Sequence, residues 1–99
     1  MEHVKMYVDK NKPVIVYTTG EFSEKGNPIV LLHKGFQTFA LESFDNYEEV
    51  TNEVIKNEMI SFHNEVIREA ISEAIKRKKE YDDFERILLV MENALILDN

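Results

Sequence analysis

The longest helical pattern in the chain is residues 47–75, which read YEEVTNEVIKNEMISFHNEVIREAISEAI. The stretch has no glycine or proline, and its apolar residues recur on one broad face of an α-helix. These residues are the pairs Val54/Ile55, Met59/Ile60, Val66/Ile67, Ala70/Ile71 and Ala74/Ile75, with Phe62 between the second and third pairs. Ser43, Asp45 and Asn46 are each suitable N-caps, and the basic run 76–79 stands where cations stabilise a helix C-terminus. The pattern predicts a helix over residues 46–79.

The residues before this helix have the pattern of β-strands. His3–Val8 alternates apolar and polar side chains, and Val14–Thr19 is rich in β-branched residues. Ile29–His33 and Phe36–Leu41 flank Lys34–Gly35, where a glycine in the second position suits a two-residue hairpin turn. The sequence therefore predicts a four-stranded antiparallel β-meander over residues 3–42.

A second helix is predicted over residues 83–97. Ile87–Met91 is apolar at five successive positions, which cover the whole circumference of a helix at about 100° per residue. A helix that is apolar all round is buried, so this segment is expected at the centre of the fold or against a second copy of the chain. A fifth strand is an alternative for so short a run, and one helix of about fifty residues is an alternative to two, because neither glycine nor proline lies near Tyr81.

These elements predict a single α+β domain over residues 1–99. A chain of this length buries only a small hydrophobic core on folding, and contact with a second copy would bury additional surface. We therefore expect a homodimer whose interface includes Leu88, Met91 and Leu95.

The acidic residues are concentrated in one part of the chain. Residues 42–73 contain nine acidic and two basic side chains, so this segment has a net charge of −7, the same as the whole protein. On a helix Glu58, Glu65, Glu69 and Glu73 form one stripe. Either the stripe is simply the solvated side of an amphipathic helix or it binds a basic partner. The residues predicted to bind that partner are Asp45, Glu48, Glu49, Glu53, Glu58, Glu65, Glu69 and Glu73.

Mimicry of DNA by the helix alone is limited by its charge density. The stripe places four charges along about 22 Å, whereas duplex DNA carries about thirteen over that length. We therefore expect mimicry to require a dimer or the additional acids before the helix.

Motifs for catalysis and for cofactor binding are missing from the sequence. His3, His33 and His63 are thirty residues apart, which is not a local metal-ligand spacing, and His63 is expected at the boundary of the core. The chain has no cysteine, no nucleophile motif and no phosphate-binding glycine loop. We expect no enzyme activity, no metal, no cofactor and no direct nucleic-acid binding. The apolar runs are too short for a membrane span, and the expected location is the cytoplasm.

The favoured hypothesis is a small acidic, non-enzymatic interaction protein. It would inhibit a partner by occupying its basic, nucleic-acid-binding surface, and the composition suits a phage or mobile-element accessory protein. One alternative is an assembly subunit that associates with itself through the apolar C-terminal helix. Another is a module that binds a small ligand between the sheet and a helix.

Overall fold

The structure, a computed structural model, describes residues 4–97. In that range an antiparallel sheet is followed by two helices, which confirms the predicted α+β class. The elements are β1 (Met6–Asp9), β2 (Ile15–Phe22), β3 (Pro28–Leu32), β4 (Thr38–Ala40), β5 (Tyr47–Val50), α1 (Glu53–Lys76), a 3₁₀ turn (Lys78–Glu80) and α2 (Phe84–Asn93). The strands lie in the order β4-β3-β2-β1-β5. The first four strands therefore form the predicted meander, and a fifth strand is added beside β1.

The fifth strand corrects the predicted start of the first helix at residue 46. Tyr47 to Val50 pair with Asp9 to Met6 of β1, and α1 begins only at Glu53. The cap is Asn52, whose side chain accepts hydrogen bonds from the N–H groups of Val54 and Ile55. Tyr47–Val50 becomes a strand because it pairs with β1, which lies near the start of the chain. Such long-range pairing cannot be predicted from the local sequence pattern.

The C-terminal part contains two helices, so the alternative of one continuous helix is wrong. The predicted ends at residues 79 and 97 are too late, because α1 ends at Lys76 and α2 at Asn93. After α2 the backbone N–H of Ile96 donates to the Asn64 side chain, 2.8 Å away, and the Ile96 carbonyl accepts from the same side chain. These two bonds hold the segment after α2, residues 95–97, against α1, and we call this segment the tail.

The β3–β4 connection is longer than the predicted two-residue turn. The N–H of Leu32 donates to the carbonyl of Gln37, so four residues form the turn. Lys34, and not Gly35, has the positive φ, 65°. This conformation is unusual for a residue with a side chain, and it accompanies a hydrogen bond from the Lys34 N–H to His63.

Both faces of the sheet are covered. On one face α1 and the tail pack on the strands, and this core includes Met6, Tyr17, Leu31, Ile67 and Ile96. The opposite face has a smaller core of Val16, Val30 and Leu41. Phe44, in the connection to β5, and Tyr47, the first residue of β5, pack against it. Because α1 packs on only one face of the sheet, one side of the helix faces the core and the other faces solvent.

Candidate interaction surface

The outward side of α1 carries the four glutamates that the sequence placed in one stripe. Glu58, Glu65, Glu69 and Glu73 are all exposed. The buried residues of the helix are His63, Asn64, Ile67 and Ala74. At about 100° per residue the glutamates lie opposite these buried positions. We call the surface formed by Glu58, Glu65, Glu69 and Glu73 the acidic face.

The glutamates of the acidic face form no ion pair with the rest of the described chain. Two ion pairs occur between residues 4 and 97, and they join Lys56 to Glu53 and Arg77 to Glu80. Neither involves a glutamate of the acidic face. Four carboxylates with no such partner attract cationic groups of another molecule, an attraction that salt weakens.

The other four predicted binding residues do not lie on the acidic face. Glu53 is about 140° from Glu58 around the helix and pairs with Lys56 at 3.3 Å. Asp45 lies in the connection before β5, and Glu48 and Glu49 are successive residues of β5, so their side chains point to opposite sides of the sheet. The structure brings together half of the predicted set on the acidic face and places the rest in the first turn of α1, in β5 and in the connection before β5.

Apolar side chains accompany the acidic face, which the sequence pattern did not reveal. Val54, Ile55 and Phe62 were predicted on the buried side of the helix, but they are 67 %, 48 % and 47 % exposed. Phe62 is about 40° from Glu58 around the helix, and the Lys34 ammonium group lies 4.4 Å from the centre of its ring. The buried arc is narrower than the apolar pattern because the sheet and the tail cover only one side of α1.

The predicted dimer interface has mixed exposure. Leu88, Met91 and Leu95 are half-buried, and Leu95 packs against the larger core. Leu89 and Val90 are the exposed members of the apolar run, at 57 % and 46 %. The expectation that Ile87–Met91 is buried all round is therefore wrong for the single chain, because α2 lies at the surface of the fold and packs through one side.

The sequence did not predict the polar network that His63, His33 and Tyr17 form at the centre of the fold. His63 was predicted at the core boundary but is wholly buried. Its Nδ1 accepts from the Lys34 N–H at 2.8 Å, and its Nε2 lies 2.7 Å from the Ala94 carbonyl. Since an N–H can only donate and a carbonyl can only accept, these partners fix the neutral ring with its proton on Nε2. His63 thus joins the β3–β4 turn, α1 and the C-terminal tail.

His33 and Tyr17 extend this network. The Tyr17 hydroxyl and His33 Nδ1 share a hydrogen bond of 2.9 Å, while the buried His33 Nε2 has no partner among the described residues. Burial, with smaller contributions from His63 and Lys34, lowers the pKa of His33 to about 4. Burial also lowers the pKa of His63, partly opposed by its bond to Ala94, and raises the pKa of Tyr17. Both imidazoles are neutral at pH 7, and this network holds the fold together.

Residues 4–97 contain no group of three histidine, aspartate or glutamate side chains placed to hold a metal ion. His3 lies outside the described residues. In the same range, no helix is long and apolar enough to cross a membrane. Comparisons of the chain with family models, with curated proteins and with solved structures give no match.

Proposed function

We propose that this chain is a non-enzymatic binding protein whose acidic face docks on a basic surface of another protein. The observation that supports the proposal is the composition of the outward side of α1. It combines four carboxylates that have no ion-pair partner in the described chain with the exposed side chains of Val54, Ile55 and Phe62.

The apolar residues distinguish this surface from an ordinary solvated helix face. A solvated face gains nothing from an aromatic ring in water, and Phe62 is a large apolar group at the centre of α1. Single exposed apolar residues are common on protein surfaces. Here, however, Val54, Ile55 and Phe62 all lie within about 60° of Glu58 around α1, on the side of the four glutamates. Arg68 is an exposed basic residue at the border of this side.

The mixture also indicates the kind of partner. Four charges along about 22 Å are sparse compared with DNA, and the apolar ring of Phe62 has no counterpart in a phosphate backbone. A protein surface with lysine or arginine side chains around an apolar patch complements both parts of the face. We propose that this surface belongs to a nucleic-acid-binding protein, which the chain inhibits by occupying the site in the cytoplasm.

Affinity capture from a nuclease-treated bacterial lysate tests the proposal. The bait is the wild-type chain, and the variant carries glutamine at Glu58, Glu65, Glu69 and Glu73. A matched control changes the same number of exposed glutamates elsewhere, at Glu24, Glu42, Glu85 and Glu92. Both variants change the net charge equally, so only the position of the charge differs.

We expect wild type and the control to retain the same basic protein at low salt, and the acidic-face variant to lose it. High salt should release it from both. If the two variants retain the same amount of this protein, the position of the glutamates does not matter and the proposal is wrong. Competition by duplex DNA then tests the inhibitory part: DNA should displace the chain from the captured protein.

Self-association through α2 is a second candidate, favoured by the exposure of Leu89 and Val90. Leu89→Asp adds a charge at an exposed position, so the monomer should fold normally. If α2 is a dimer interface, sedimentation velocity should show a dimer for wild type and a monomer for the variant. A wild-type monomer at about 100 μM would exclude this candidate, since interfaces of standard size bind more tightly than that.

A further inference from the structure

A groove separates the sheet from α2, and α1 contributes no residue to its lining. Its volume is about 530 Å³, which lies in the range of small-molecule sites. Leu31 and Phe36 contribute apolar surface from the sheet side, and Val90 contributes it from α2. Past Phe36 and Val90 the groove continues into a second hollow of about 360 Å³.

The polar groups of the larger hollow are suited to a cation. Glu21, Thr38 and Asn93 line it and have side-chain oxygen atoms, and no lysine or arginine is among the described residues that line it. Arg86 lies in the smaller hollow, together with Asp83. Glu21 takes part in neither ion pair of residues 4–97. An ammonium group has three N–H donors and no acceptor, so a carboxylate, a hydroxyl and an amide oxygen match its requirements.

The apolar wall defines the remainder of the ligand. Leu31 belongs to the core and Phe36 packs against it, so the sheet side is firmly held. Val90 is 46 % exposed, and covering it with an aromatic or aliphatic group would remove apolar surface from water. We propose that this groove binds a small organic cation, namely a protonated primary amine on an apolar body.

This site is independent of the proposed protein partner. The residues that line the groove belong to β2, β3, β4, the β3–β4 turn and the α2 region, and α1 contributes none of them. A variant of Glu21 therefore leaves the acidic face unchanged. Failure of one proposal does not affect the other.

An NMR titration of the full chain tests the site. The probe is 2-phenylethylammonium, and the neutral comparison is 2-phenylethanol, both at about 0.15 M salt so that exposed charges more than a Debye length apart are screened. The variant is Glu21→Gln. The control is Glu24→Gln, which removes an exposed carboxylate from the nearby β2–β3 turn but does not line the groove.

We expect saturable shifts of the backbone N–H signals of Leu31, Phe36, Val90 and Asn93. Glu21→Gln should weaken binding roughly tenfold or more, as expected for the loss of a hydrogen bond to a charged group, and Glu24→Gln should not. The neutral probe should bind correspondingly more weakly. The proposal is overturned by an absence of saturable shifts, by equal binding to Glu21→Gln, by equal binding of both probes, or by shifts that follow α1 instead of the groove.

Discussion

The neutral ring of His63 connects three separate parts of the chain. It accepts a hydrogen bond from the N–H of Lys34 and donates one to the carbonyl of Ala94. A proton on Nδ1 would remove the first bond and place a charge in the core. The groups that face His63 are the ring of His33, the ammonium-bearing residue Lys34 and the phenol of Tyr17. None of them carries a negative charge at pH 7 that would stabilise an imidazolium.

The stability of the fold should therefore depend on pH. The pKa of His33 falls from 6.5 to about 4 on folding, and that of His63 is also lowered. Between these values the unfolded chain binds more protons, so the free energy of unfolding falls as the pH decreases from about 6.5 toward 4. Urea unfolding of wild type and of His33→Phe at several pH values measures this dependence. The variant should lose less unfolding free energy than wild type between about pH 6.5 and pH 4. If the free energy of unfolding falls equally with pH in both proteins, His33 does not contribute to the pH dependence.

Asn64, like His63, is a buried polar residue of α1 whose loss should destabilise the fold. Its side chain makes two hydrogen bonds with the backbone of buried Ile96. Asn64→Ala leaves both backbone groups without a partner, which should cost about 2–4 kcal/mol of unfolding free energy. The control Asn57→Ala alters an exposed residue of the same helix and should stay within about 0.5 kcal/mol. Hydrogen exchange at the Ile96 amide should accelerate only in Asn64→Ala, and equal losses of stability in both variants would contradict this role.

At the scale of elements, the helices were more predictable than the last strand. The periodicity that defines α1 lies within the helix itself, so its existence and outward charges could be derived from the sequence. β5 forms because Tyr47–Val50 pairs with β1, far earlier in the chain. A four-residue segment with two adjacent glutamates has no alternation that reveals such a partner.

The true start of α1 can be tested through its cap. Asn52 accepts hydrogen bonds from two N–H groups of the first turn, and Asn52→Ala should cost about 1 kcal/mol of unfolding free energy. Asn46 was one of the predicted caps but precedes β5, so Asn46→Ala should cost less than about 0.5 kcal/mol. Urea unfolding of the two variants compares the same chemical change at both positions. A greater loss for Asn46→Ala would restore the earlier helix start.

For the whole molecule, the sheet decides which apolar residues of α1 become exposed. The sequence pattern places both Phe62 and Ile67 on the broad apolar side of the helix. In the fold Phe62 is 47 % exposed, whereas Ile67 is completely buried, because the strands and the tail cover a single arc of the helix. The acidic face was predictable from spacing, but its apolar members and the histidine network depend on contacts between distant segments.

The central claim is that the outward side of α1 contacts a partner, and site-specific photo-crosslinking tests it most directly. The photoreactive residue p-benzoyl-phenylalanine replaces Phe62 in one protein and Phe22 in another. Both positions are phenylalanine in the chain and both are exposed, at 47 % and 68 %. In a nuclease-treated lysate, position 62 should give one covalent product with a basic protein, and glutamine at Glu58, Glu65, Glu69 and Glu73 should abolish it. No product at position 62, or the same product at position 22, would contradict the account.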